Sequence, residues 1–199
     1  MHFASESLVS NRCVAGKEVS RFVNEEEAMR SDDFSLQALF AALDAQRRAR
    51  GLSWAGVIAD MRGHRERPRG RALSASTITG TRFRKVAEGD GVLQMLRWLG
   101  RTPESLMPGR QAGEQPGAPL PEVPAGKVLR FDTGKLYAAV NARRVERGLT
   151  WQQAAKEMRV EVSTLTHLRK GSRTAFPRVM RIVGWLRRPA AEFTRVSDQ

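Results

Sequence analysis

Apolar positions recur with the period of a helix from Phe34 onward. Leu36, Leu39, Phe40 and Leu43 fall at i, i+3, i+4 and i+7, which predicts a helix to about Arg50, with cap candidates between Ser31 and Ser35 and a C-terminal stop at Gly51. Ser53 is placed to cap a second helix, Trp54 to Met61, with Val57, Ile58 and Met61 inward. Ser74 caps a third through about Thr81. A fourth runs from about Asp90 to Leu99 with Val92, Leu93, Leu96 and Leu99 on its core side, and Pro103 to Met107 add a closing turn. A second series begins near Phe131: a helix through Leu136, Ala139, Val140 and Arg143, then Trp151 to Met158 capped by Thr150, Val162 to about Lys170 ended by Gly171, and about Pro177 to Leu186. Phe193 closes that core, and Val196 to Gln199 read as a frayed end.

The two series are copies. Arg50-Gly51-Leu52-Ser53-Trp54 returns as Arg147-Gly148-Leu149-Thr150-Trp151, Ser76-Thr77-Ile78-Thr79 as Ser163-Thr164-Leu165-Thr166, and Trp98-Leu99 as Trp185-Leu186. The tryptophans of the first anchor lie 97 positions apart and those of the last 87, so the first copy carries an insertion of ten residues, Arg62 to Arg71.

Between the copies, residues 108–130 are rich in proline and glycine, which predicts a linker long enough for each unit to dock separately. Residues 1–33 show no sustained period and hold Glu25-Glu26-Glu27 beside Asp32-Asp33, which reads as an acidic, mostly mobile tail with one short helix over Glu18 to Met29. The expected architecture is all-α: two small four-to-five-helix domains, 34–107 and 131–199, joined by the linker.

Charge narrows the partner class. The chain of 199 residues carries a formal +13, distributed as −3 over residues 1–33, +7 over 34–107, +1 over 108–130 and +8 over 131–199. Positive charge concentrated in the two repeats draws polyphosphate through counterion release, so double-stranded DNA is the leading partner. No apolar run has membrane length and the N-terminus has no secretory pattern, which predicts a cytoplasmic, nucleoid-associated protein without a membrane partner. Cys13 is the sole cysteine and reads as an inert tail thiol.

A helix ending in a small core residue, a short turn and a capped helix rich in Ser and Thr is the helix-turn-helix pattern, whose second helix fits the DNA major groove. In these residues the chain resembles the lambda-repressor-like (XRE) family. The family's Leu-Thr, helix-two alanine, Gly-Val-Ser and Ser-Thr-Ile/Leu-Ser/Thr are similar to Leu52-Ser53, Ala59, Leu73-Ser74 and Ser76-Thr77-Ile78-Thr79, and to Leu149-Thr150, Ala154-Ala155, Val160 and Ser163-Thr164-Leu165-Thr166. The Trp-Leu close resembles a subgroup found in actinobacteria and their phages. The likeness covers about 140 of the 199 residues. The chain departs from the pattern in three places. Trp54 and Trp151 replace the family's glutamine, the insertion interrupts the first turn, and Glu161 replaces the capping serine of the second copy.

The resemblance implies base-facing candidates Ala75, Ser76, Thr79 and Arg82 in the first copy and Val162, Ser163, Thr166 and Arg169 in the second. Ser74, Arg84, His167 and Lys170 lie beside them. Arg62, Arg65, Arg67, Arg69 and Arg71 of the insertion suit phosphates or a narrow minor groove; an unchanged affinity and salt slope after replacing all five would exclude that role. The expected function is a bacterial, phage or mobile-element transcription regulator, most simply a repressor. The alternative is a protein-interaction module, an antitoxin or an inhibitor of a nucleic-acid machine, with only nonspecific DNA affinity. A homodimer and a protein partner both stay open. His2, His64 and His167 are scattered and no nucleotide, metal or nucleophile motif is present, so no enzyme activity, cofactor, metal or small-molecule ligand is expected.

Overall fold

The computed structural model describes residues 33–62, 73–107, 117–124 and 126–198. Its first half holds α1 (Leu36–Ala49), α2 (Trp54–Arg62), α3 (Ala75–Gly80) and α4 (Gly89–Leu99), with single 3-10 turns at Thr81–Phe83 and Pro103–Leu106. The second half holds β1 (Lys127–Phe131), α5 (Thr133–Glu146), α6 (Trp151–Glu157), α7 (Val162–Arg169), α8 (Phe176–Leu186), a 3-10 turn at Ala190–Phe193 and β2 (Thr194–Asp198). Among the described residues no helix is long and apolar enough to cross a membrane. The fold is mostly helical, as the periodicity predicts.

The caps explain where the helices begin. Ser35, Ser74 and Thr150 each accept a hydrogen bond from the backbone N–H three residues on, and Thr150 exchanges it with Gln153 in a full capping box. Asp132 does the same for Lys135 at the start of α5. Gly51 and Gly148 follow α1 and α5 with φ of +63° each, a backbone state that a side chain resists.

The repeat extends from sequence into contacts. Ser35 N–H donates to Leu106 O at 3.1 Å and its counterpart Asp132 N–H to Phe193 O at 2.7 Å. Arg47 Nη1 reaches Leu52 O at 2.9 Å and Arg144 Nη1 reaches Leu149 O at 2.8 Å. Each half buries the apolar stripe of its first helix, Leu39 and Leu43 or Leu136 and Val140, against its last, Val92 and Leu96 or Val179 and Val183.

Three expectations need correction. The chain is not wholly α-helical, because Lys127–Phe131 pairs antiparallel with Thr194–Asp198, Phe131 opposite Thr194 and Lys127 opposite Asp198. The linker therefore stops short of Lys127, and the end read as frayed is a strand through Asp198. Alternation buries Leu129 and Phe131 and turns Val128 and Arg130 the other way, but the partner strand is far off in sequence. Lys127 and Asp198 form an ion pair at one end, whereas Arg130 faces Arg195, a like-charge pair compensated by Asp90, 3.7 Å from Arg130.

The halves, moreover, do not stand apart. Phe34 and Phe131 both pack on Phe176, with ring centroids 4.5 Å and 5.5 Å away. Phe176 N–H donates to Ala87 O at 2.9 Å, and Glu88 pairs antiparallel with Ala175. Glu88 and Ala175 are the same position of the repeat, the N-caps of α4 and α8. A directly opposed antiparallel pair has a local twofold axis, and here the pair joins equivalent positions of the repeat. Glu104 Oε1 accepts from Ala190 N–H at 2.7 Å, and Gly117 packs so closely on Glu104 and Thr102 that a Cβ there would collide with both. Thus residues 117–124 have no regular structure yet are held, with Val123 buried. Shared apolar surface overrides the reach that a proline-rich tether provides.

Asp33 also belongs to the fold rather than to the tail, through an ion pair with Arg181. The expected helix over Glu18 to Met29, Cys13, and most of the arginine-rich insertion lie outside the described residues.

Candidate nucleic-acid interface

The short helices α3 and α7 occupy equivalent places in the two halves and hold most of the predicted residues. Ile78 on α3 and Thr164, Leu165 and Leu168 on α7 are buried, and the opposite faces look outward. On α3, Ser74 and Ser76 are exposed, Ala75 and Thr79 half-buried, and Arg82 and Arg84 exposed just beyond the helix. On α7, Val162, Ser163, Thr166, His167, Arg169 and Lys170 are all exposed. Of the insertion, only the backbone of Arg62 is described, as the last residue of α2; Arg65, Arg67, Arg69 and Arg71 lie outside.

The two faces differ in how their polar groups are engaged. Ser74 Oγ accepts from Thr77 N–H at 3.1 Å and lies 2.9 Å from Ser76 Oγ and 2.8 Å from Thr77 Oγ1, a closed hydroxyl cluster. Thr79 gives its hydroxyl proton to Ala75 O at 3.0 Å. At the matching place on α7, Glu161 caps the helix with no side-chain hydrogen bond to it, which leaves the carboxylate for the outside. Val162 is 41% exposed, where its counterpart Ala75 is half-buried.

Cations frame α3 on one side. The Arg82 guanidinium lies 4.2 Å from the Phe83 ring centroid and 5.8 Å from that of Phe40. Arg84 folds back over Gly80. Stacking of this kind presets a guanidinium without neutralising it. In the second half, Arg169 and Lys170 end α7 beside Gly171.

The tryptophans at the start of α2 and α6 have a structural use. Trp54 stacks on Phe40 at 5.6 Å with Arg47 4.8 Å over its ring, and Trp151 stacks on Tyr137 at 5.2 Å with Arg144 4.6 Å over it. Each ring thus packs against an aromatic and a guanidinium of the preceding helix. The later pair behaves alike. Trp98 donates to Asp60 and Trp185 to Glu157, each at 2.7 Å, while Arg50 and Arg147 pair with those same carboxylates and lie over the rings. The indole and the guanidinium hold the Glu157 carboxyl below its ordinary range, and Trp185 contributes most. Sequence reasoning passed over Asp60 and Glu157, although both stand ten residues after the arginine of the repeated Arg-Gly-Leu signature.

Where the halves meet, Glu88, Asp90, Arg130, Asp132, Arg173 and Arg195 surround a small polar cleft. Burial raises the Asp90 carboxyl against the pull of Arg130. Acids and arginines balance there, so the cleft is electrostatically unlike the outward faces of α3 and α7. No family model, curated protein or solved structure matches this chain significantly.

Proposed function

We propose that the chain is a sequence-specific double-stranded DNA-binding regulator, most simply a repressor, made of two lambda-repressor-like helix-turn-helix units on one polypeptide. One observation carries this reading. Two equivalent helices, α3 and α7, present exposed hydroxyl side chains, with the matching arginines Arg82 just beyond α3 and Arg169 at the end of α7, in halves that meet at equivalent positions of the repeat. Operators bound by helix-turn-helix dimers have paired half-sites about one helical turn apart. Here one chain supplies both headpieces. Hydroxyls and short side chains admit the helix to base edges, while Arg82 and Arg169 suit guanine O6/N7 or a phosphate.

Because the two faces are unlike, the operator is expected to have unlike halves. Competition between the protein's own upstream DNA and scrambled DNA of equal length, at two salt concentrations, tests the proposal. A preference of about 1000-fold or more supports a regulator; equal and steeply salt-dependent binding leaves only charge attraction.

A second reading has one specific observation in its favour. Phe83 is 76% exposed and Val86 55% exposed beside Arg84 and Lys85, an apolar spot within a basic loop that suits an acidic protein partner. Stoichiometric capture of such a partner, abolished by Phe83→Ser, together with only nonspecific DNA affinity, would favour an interaction module.

A further inference from the structure

Asp33 lies two residues ahead of the Ser35 cap of α1, yet its carboxylate serves the other half of the molecule. Arg181 on α8 donates from Nε to Asp33 Oδ1 at 2.9 Å and from Nη2 to Oδ2 at 2.5 Å, a two-pronged ion pair across 148 positions. Its remaining nitrogen, Nη1, donates to the backbone carbonyl of Arg159 at 2.9 Å. Arg159 Nη2 returns to Asp33 Oδ1 at 3.5 Å, closing a ring of contacts.

Arg159 sits in the turn between α6 and α7. Its φ is +53°, a left-handed state that costs a non-glycine residue energy unless its surroundings hold it. Two residues later Glu161 caps α7. A carboxylate from the first half thus grips, through one guanidinium, the backbone turn that aims α7. The pair is partly buried, with Asp33 26% and Arg181 32% exposed, and a forked guanidinium–carboxylate contact fixes direction as well as distance. Among the described residues this pair is not repeated for α3: the repeat counterparts of Asp33 and Arg181 are Arg130 and Gln94, which cannot make it.

Resting on the reading that α3 and α7 enter successive major grooves, we propose that Asp33 is a positioning residue for DNA recognition. It fixes the α6–α7 turn relative to the first half and so sets the half-site spacing that the chain accepts. Conventional dimers set that spacing at an interface between two chains; here an intrachain ion pair does so.

The test uses the full chain and its selected DNA site, with one or two base pairs inserted or removed between the half-sites. Wild type should favour one spacing by roughly tenfold or more, within the cost of a mismatched site. Asp33→Asn should flatten that profile to within about threefold while leaving affinity for an isolated half-site unchanged. Arg181→Lys keeps the charge but loses the fork, and should flatten it likewise; it serves as the second variant if Asp33→Asn does not fold. An unchanged spacing profile in a folded variant, alongside a sharp one in wild type, overturns the positioning role and leaves the DNA-binding reading intact. Absence of sequence preference in wild type at every spacing overturns both.

Discussion

Phe176 and Gly89 occupy the same position of the repeat, and the fold uses one as a plug and the other as the space beside it. Phe176 is fully buried between Phe34 and Phe131, whereas a Cβ on Gly89 would come within 2.9 Å of the Phe131 ring. Next to the bridge that joins Glu88 to Ala175, two large side chains at equivalent positions would compete for one volume. The ion pairs between the halves are also sided: Asp33, Glu88 and Asp90 come from the first half, and Arg181, Arg173 and Arg130 from the second. Pairing either half with a copy of itself would oppose like charges and duplicate the plug or the gap. The surface therefore selects the unlike half.

Gly89→Ala is expected to destabilise the chain by about 1–3 kcal/mol, the usual range for overpacking a filled core. Thermal or urea unfolding measures it. In a Phe131→Ala background the same substitution should cost less, since the ring it meets is gone. Equal costs in both backgrounds would show that the Phe131 contact is not the cause.

Arg187 offers a prediction from the repeat itself. It follows α8 with φ of +55°, where its counterpart Gly100 follows α4 with φ of +64°. A left-handed residue with a side chain costs about 1–2 kcal/mol, offset in part by the extra freedom glycine has when unfolded. Arg187→Gly should accordingly raise stability by about 0.5–1 kcal/mol. A fall in the unfolding midpoint would mean that the Arg187 side chain contributes more than its backbone strain costs.

The parts of this fold legible in the sequence are those fixed by neighbours. Ser35, Ser74 and Thr150 cap helices because a hydroxyl needs only the backbone three residues on, and Phe193 closes its half. What escaped was non-local. Lys127–Phe131 has strand alternation, but a two-stranded sheet requires Thr194–Asp198, and the preceding prolines argue for a tether. Asp33 stands in an acidic run, and nothing near it in sequence names Arg181. At the candidate interface, helix position indicated which residues face outward; that Ser74 is tied into its own helix while Glu161 is not emerges only from geometry. The role of Trp54 follows from Phe40 and Arg47, both on α1 and both packed against its ring.

Acid should expose the contribution of Glu157. Trp185 and Arg147 hold its carboxyl below the ordinary glutamate value of about 4.5, so the ionised form is favoured by folding. The stabilisation is present above that value and is lost as pH falls through the lower, folded value. Glu157→Gln should be less stable than wild type at neutral pH, and the gap should close progressively below about pH 4.5. Urea midpoints taken from pH 7 down to pH 3 follow it; a gap that stays constant would assign the effect to packing rather than charge.

The N-cap and base-facing candidate positions of α3 and α7 can be made alike with two substitutions. Those of the first half read Ser74, Ala75, Ser76, Thr79 and Arg82, and those of the second Glu161, Val162, Ser163, Thr166 and Arg169. Only the first two differ. A carboxylate such as Glu161 accepts from cytosine N4, and an exposed apolar group such as Val162 suits a thymine methyl, so both should confer base preferences that the first half lacks. Selection from random duplexes should therefore give wild type a site with unlike halves, and Glu161→Ser with Val162→Ala a site nearer a palindrome built from the half that α3 reads. The double variant should lose roughly 10- to 100-fold at the wild-type site, the cost of about one mismatched base pair, and gain on the symmetric one. If both proteins select the same site, Glu161 and Val162 do not read bases. If that common site covers one half only, α3 alone reads sequence and the second half binds without discrimination.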